Sequence, residues 1–231
     1  MIVLMRLFPR EKDDAEKIWK FIEEKMAYLP RKKVKPLFMS MQTRARFVTL
    51  FVQADEPENI GDLLVEDIGS CDRIVDTKTF PLLKLAFLPT PKTKVKRAKR
   101  YSIMLRTKPK DYYAVYKRVL ETQPAPNAFI AFGAFLLGDF DVLASVVSES
   151  QKSVKEFVTR HFAGIEGVEE VKIFPIKRSR LLMPSEEWQM FQRALLYAPS
   201  WMTDEVKDTY AFGSYLTDED IHLSGAMRSE S

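Results

Sequence analysis

Apolar and polar residues alternate along this chain in a fixed order of periods. Met1 to Phe8 is a short apolar run rich in strand formers, ended by Pro9 and the charged residues after it. Ala15, Ile18, Trp19, Ile22, Met26 and Leu29 then recur every three or four residues, the spacing of one helix face, and Pro30 closes that helix. Leu37 to Thr43 and Phe47 to Val52 read as strands joined through Arg44-Ala45-Arg46. Asp55-Glu56-Pro57 opens a second helix carrying Ile60, Leu63, Leu64 and Ile68 on one side, and a fourth strand lies between Arg73 and Phe87. The predicted order is βαββαβ.

The second half repeats it. Arg100 to Arg106 is a strand, and Tyr112, Val115, Tyr116, Val119 and Leu120 line a helix. Ala128 to Leu137 and Phe140 to Val147 are strands joined at Gly138-Asp139. Val154, Phe157, Val158 and Phe162 line another helix, and Val168 to Arg180 contains the last strand. The halves also align by residue. Val3 to Pro9 matches Ile103 to Pro109, pairing Arg6 with Arg106, and Phe80-Pro81 falls on Phe174-Pro175. This is the mark of a divergent internal duplication.

A βαββαβ unit makes a four-stranded antiparallel sheet with both helices on one face. Phe38, Met39 and Met41, and Phe129, Ile130, Phe132 and Phe135, place large apolar groups on both faces, so both faces should be covered. The expected fold is therefore α+β: two ferredoxin-like repeats packed sheet to sheet as a pseudo-dimeric α-β barrel. The first repeat spans 1–90, a basic linker 91–100 and the second repeat 101–184. A helical extension with a flexible tail fills 185–231. There Ser185 starts a helix with Trp188, Phe191 and Leu195 as its stripe, Tyr210, Phe212, Tyr215 and Ile221 add packing, and 224–231 is expected to be disordered.

Composition narrows the function. With 46% hydrophobic residues in 231, a sizeable core is available and wholesale disorder is excluded. Only 8 glycines argue against folds built on glycine-rich loops. The single cysteine, Cys71, excludes an intramolecular disulfide framework and a Cys-based zinc site, and suits a reducing compartment. No apolar run reaches the roughly 18 residues of a membrane span, and the start lacks a leader pattern, so a soluble cytoplasmic protein is expected. Residues 1–100 carry 21 Lys and Arg against 14 Asp and Glu, whereas residues 101–231 carry 15 against 18. This asymmetry points to an anionic partner or to complementary packing.

The stretch Gly138-Asp139-Phe140-Asp141-Val142-Leu143, followed by a helix and Ile165-Glu166-Gly167-Val168-Glu169-Glu170-Val171, resembles the effector-binding domain of the Lrp/AsnC regulators. In the first half Arg46-Phe47-Val48-Thr49 and Ser70-Cys71-Asp72-Arg73-Ile74-Val75 stand where those elements would fall. The resemblance implies a tandem pair of such domains, a small amino-acid-like effector, self-association into an oligomer, and regulation through a separate DNA-binding protein. With the first strand starting at Ile2, the family's own helix-turn-helix is not expected.

Candidate chemistry follows from these positions. Arg6 and Arg106 can each hold a carboxylate or phosphate by two parallel hydrogen bonds, or simply pair with Asp76 or Glu170. Gly138 should adopt a positive-φ turn, or let a ligand approach closely. Asp139 and Asp141 point one way and Phe140 the other, so a carboxylate here can take a ligand ammonium, cap a loop or pair with Arg106. No nucleophile, Walker or dinucleotide motif is present, so no catalytic residue, metal or cofactor is expected and a non-catalytic module leads. A haem-dependent enzyme is the alternative, because chlorite-dismutase-like haem proteins use such paired halves, and His161 would be its ligand. His222 reads as surface. A third reading uses Lys92, Lys94, Lys96, Arg97, Lys99 and Arg100, joined by Arg31, Lys32, Lys33 and Lys35, as a nucleic-acid surface. The bland alternative for that stretch is a solvated linker.

Overall fold

The computed structural model describes residues 1–212, except Ala27, Ala45, Lys94, Lys96 and Arg97, and only the backbone of Arg31. Expectations for Tyr215, Ile221, His222 and the 224–231 tail lie outside the described residues.

The first repeat runs β1 (Ile2–Pro9), α1 (Asp14–Lys25), β2 (Val34–Gln42), β3 (Val48–Ala54), α2 (Pro57–Asp62) and β4 (Ile74–Phe87). After the two-residue β5 (Thr90–Pro91) the second runs β6 (Lys99–Thr107), α3 (Tyr112–Leu120), β7 (Ala128–Leu136), β8 (Val142–Ser148), α4 (Gln151–His161) and β9 (Val168–Leu181). A C-terminal extension adds α5 (Ser185–Ala194), α6 (Asp204–Lys207) and β10 (Tyr210–Ala211). Strand order within each repeat is fourth, first, third, second: β4-β1-β3-β2 and β9-β6-β8-β7. That is the ferredoxin-like topology expected from the sequence.

The last strand of each repeat is long, 14 residues in both β4 and β9. Its second half leaves its own repeat. Residues 176–181 of β9 pair with β2, and residues 82–87 of β4 pair with β7. The chain accordingly divides into one unit of Met1–Pro81 with Ile176–Trp188 and another of Leu82–Pro175 with 189–212.

In the first unit Val3, Met5, Leu7, Met39, Met41, Val48, Leu50 and Val52 form one core with Ala15, Ile18, Trp19 and Ile22 of α1. These are alternate strand positions meeting one helical stripe, with each Val, Leu, Ile and Met worth about 1.5–3 kcal/mol of burial. The helix after Pro57 is regular only to Asp62 and continues as a π turn, Leu63–Asp67. Leu63 and Ile68 both reach this core. Five α-helical residues would turn them about 140° apart, and a π turn brings them back to one side. In the second unit Ile103, Leu105, Val142, Ala144 and Val146 pack on Val115 and Val119 of α3 and Val154, Phe157 and Val158 of α4. Ser150 caps α4, accepting a hydrogen bond from the Ser153 N–H at 3.0 Å.

The extension is fastened by backbone and by one carboxylate. Within the second unit, the Phe87 N–H donates to the Leu195 carbonyl at 2.9 Å, the Tyr197 N–H to the Phe87 carbonyl at 2.8 Å, and β10 pairs with β5. Glu121, just past α3, accepts from the Ser200 N–H at 2.8 Å, the Ser200 hydroxyl at 2.6 Å and the Tyr197 hydroxyl. Burial raises the Glu121 carboxyl pKa, but the hydrogen bonds from Ser200 and Tyr197 outweigh it and bring it below the ordinary carboxylate value. The bond to Glu121, followed by burial, pushes Tyr197 up to about 12.

The signs give a window. Glu121 stabilises the fold above its unfolded pKa, near 4.5, and this contribution disappears as pH falls through the lower folded value. Tyr197 stabilises it below about 10 and ceases to as pH rises through about 12. Glu121→Gln should therefore lower unfolding stability by about 1–3 kcal/mol at neutral pH and by less below pH 4, as measured by urea denaturation across pH.

Candidate functional site

Alternate residues of each strand face away from the helices. On the first sheet that second face carries an uninterrupted polar row. Arg6 of β1 stands opposite Thr49 of β3, Thr49 opposite Ser40 of β2, and Ser40 opposite Ser179 of β9. All four are buried, at 5%, 6%, 6% and 9% exposure. Hydroxyls occupy sites where an ordinary core would carry valine. The next row, Leu4, Phe51, Phe38 and Leu181, is apolar, with the Phe38 and Phe51 rings stacked at 4.0 Å.

Arg6 is held by aromatic faces. Its guanidinium carbon lies 4.5 Å from the Phe47 ring centroid and 5.4 Å from that of Phe80. Phe8 packs edge-on to Phe47 at 5.6 Å. Gln42, two residues beyond Ser40 on the same face of β2, donates its N–H to the Phe47 carbonyl at 3.2 Å. Its side chain is 4% exposed, and its Oε1 has no hydrogen-bond partner among the described residues. The arrangement presents a fixed cation, three hydroxyls and an unsatisfied carbonyl on one buried face. The guanidinium can only donate, the hydroxyls can donate or accept, and the amide oxygen can only accept.

The second unit repeats the scaffold without the polar row. The corresponding face carries Met104, Leu143, Phe132 and Phe87, all buried, with Phe87 and Phe132 at 5.6 Å. Arg106 occupies the register of Arg6 but is exposed. It donates to the Asp139 carbonyl at 3.3 Å, pairs with Glu170 at 3.1 Å, and lies 5.7 Å from the Phe140 ring. The arginine-on-phenylalanine contact of Arg6 and Phe47 is thus repeated in the other copy. Gly138 adopts φ +142°, the turn its sequence context implies. Asp141 is buried and accepts from the Thr107 N–H at 2.7 Å and the Thr107 hydroxyl at 3.3 Å, fixing the exit of β6. The structure brings Arg106, Gly138, Asp139 and Asp141 together at one rim of the second unit, while Arg6 belongs to the first.

His161 ends α4, in the helical layer, with its ring 4.6 Å from that of Phe157. Burial, then the charges of Arg160 and Arg118, push its pKa down and favour the neutral imidazole. Of the basic stretch, Lys92 donates to the Asp208 carbonyl at 2.6 Å, and β6 already includes Lys99 and Arg100. Lys94, Lys96 and Arg97 lie outside the described residues. Cys71 is buried in the first core. Among the described residues no three His, Cys, Asp or Glu side chains gather as metal ligands, and no helix is long and apolar enough to cross a membrane. Ser40, Gln42, Thr49 and Ser179 escaped the sequence reading. Their signal was the polar alternation in Phe38-Met39-Ser40-Met41-Gln42, a strand otherwise apolar on both faces.

No family model and no curated protein matches the chain. Solved structures do. The siroheme decarboxylase NirDL aligns at 11% identity over 84% of this chain and 78% of that one, with a TM-score of 0.53. The same enzyme in complex with an iron-uroporphyrin III analogue aligns at 11% over 78% and 72%, with a TM-score of 0.51. A mutant chlorite dismutase from Candidatus Nitrospira defluvii aligns at 9% over 76% and 90%, with a TM-score of 0.42. The likeness to the decarboxylase shows the fold: α+β, with ferredoxin-like repeats of the dimeric α-β barrel class. It also corrects one expectation. A chain with this fold was expected to work without a cofactor, and a solved structure that shares the fold holds an iron tetrapyrrole analogue.

The two rims of the second unit's turn should respond differently to truncation. Asp141→Ala strands the buried Thr107 N–H and should cost about 1–3 kcal/mol. Arg106→Ala removes an exposed pair and should cost under about 1 kcal/mol. Chemical denaturation of the two variants measures both.

Proposed function

We propose that the chain is a small-molecule-binding protein that receives the carboxylate of its ligand at Arg6. The observation that carries this reading is a buried guanidinium between Phe47 and Phe80, continued across three strands by Thr49, Ser40 and Ser179. A guanidinium keeps its charge when buried, offers donors only, and matches a carboxylate with two parallel hydrogen bonds. The hydroxyls extend that recognition to further oxygens of the same anion.

Two ligand classes share this chemistry. One is an iron tetrapyrrole with acid side chains, favoured by the fold shared with the decarboxylase complex. The other is an amino acid, favoured by the Lrp/AsnC resemblance around Gly138 to Asp141. The residues present fit the first class at its periphery: Arg6 and the hydroxyl row would hold its acid groups. An iron tetrapyrrole, when bound, would supply the redox and axial-ligand chemistry of its metal. The imidazole of His161 belongs to the helical layer of the second unit, and the polar row belongs to the first unit.

Absorbance titration with iron(III) uroporphyrin and a thermal-shift panel of amino acids separate the classes. The true class at 100 times its dissociation constant should stabilise the fold by about 2.7 kcal/mol. Arg6→Met should weaken its binding by about tenfold or more, the value of a charge-assisted hydrogen bond. No response to either class, or unchanged affinity in Arg6→Met, would overturn the reading.

A further inference from the structure

The polar side chains on the first sheet's helix-free face do not make equal demands of a ligand. Ser40, Thr49 and Ser179 carry hydroxyls, which donate or accept as required. Arg6 can only donate. The Oε1 of Gln42 can only accept, and it is buried with no hydrogen-bond partner among the described residues. Both residues border Phe47, one through its side chain and the other through its backbone. The Arg6 guanidinium lies over Phe47, and the Gln42 backbone bonds to the Phe47 carbonyl.

A buried acceptor left unpaired is costly, and a site containing one discriminates strongly between ligands that satisfy it and ligands that do not. We propose that Gln42 is a specificity-determining residue that reads an N–H or O–H donor beside the ligand's carboxylate. The site then takes amino or hydroxy acids in preference to plain carboxylic acids. This inference rests on the carboxylate reading of Arg6 and names the substrate class within it.

The test uses three probes with one carbon skeleton: 3-phenylpropanoate, phenyllactate and phenylalanine. They differ only in the group on the carbon beside the carboxylate, which is CH2, hydroxyl or ammonium. Titration calorimetry on the full chain should show phenyllactate or phenylalanine binding about tenfold more tightly than 3-phenylpropanoate. Gln42→Met should erase the preference. Gln42→Glu keeps an acceptor and should preserve it for phenylalanine. The wild-type comparison stands even where a variant folds poorly. Equal affinity for all three probes, or a preference that survives in Gln42→Met, overturns the role of Gln42 alone. Failure of all three to bind overturns this inference, and the carboxylate reading of Arg6 is then decided by the iron(III) uroporphyrin titration.

Discussion

A β-strand sends successive side chains to opposite sides, and that constraint governs what each part of this chain can do. On the first sheet, Val3, Met5 and Leu7 are committed to α1, together with Met39, Met41, Val48, Leu50 and Val52. The residues between them must then point the other way. Arg6, Ser40 and Thr49 are therefore buried as a consequence of their neighbours' packing, with Ser179 brought in by strand pairing. Apolar packing on the helix side supplies the energy that keeps a few polar groups out of water. The polar row is held in place by a core on the opposite face of its sheet.

Duplication copied the scaffold and let the second face diverge. Both halves keep the same strand order, the same two helices and an arginine at the same register of the first strand. In one half that arginine is enclosed by Phe47 and Phe80. In the other it reaches the surface and joins Glu170 and the Asp139 carbonyl. Met104, Leu143 and Ala134 of the second sheet match Leu4, Phe51 and Phe38 of the first, an apolar row in both. Equivalent residues in a repeat thus carry different work once their surroundings differ.

The scaffold was legible because periodicity is local. The three-and-four spacing of α1 and the alternation in β2 and β3 need only neighbouring residues to be recognised, and the Phe80-Pro81 and Phe174-Pro175 landmarks exposed the repeat. The polar row was not legible, because it is written across four strands and exists only once register is known. Ser40 and Ser179 are 139 positions apart in the chain yet directly opposite in the sheet. The π turn at Leu63–Asp67 was invisible for a related reason, since the demand that Leu63 and Ile68 share a side comes from the core. Arg6 and Arg106 looked interchangeable in sequence, and only burial separates them.

The traded halves of β4 and β9 carry a consequence for biogenesis. The sheet bearing Arg6 needs residues 176–181, which leave the ribosome long after β1, β2 and β3 have been made. A nascent chain halted near residue 100 would expose β2 as an unsatisfied ribbon edge, open to pairing with another copy. Sequence separation of this size also slows closure. The amino-terminal half has to wait, unfinished, for β9 to be synthesised, and the Arg6 locus matures only at that moment.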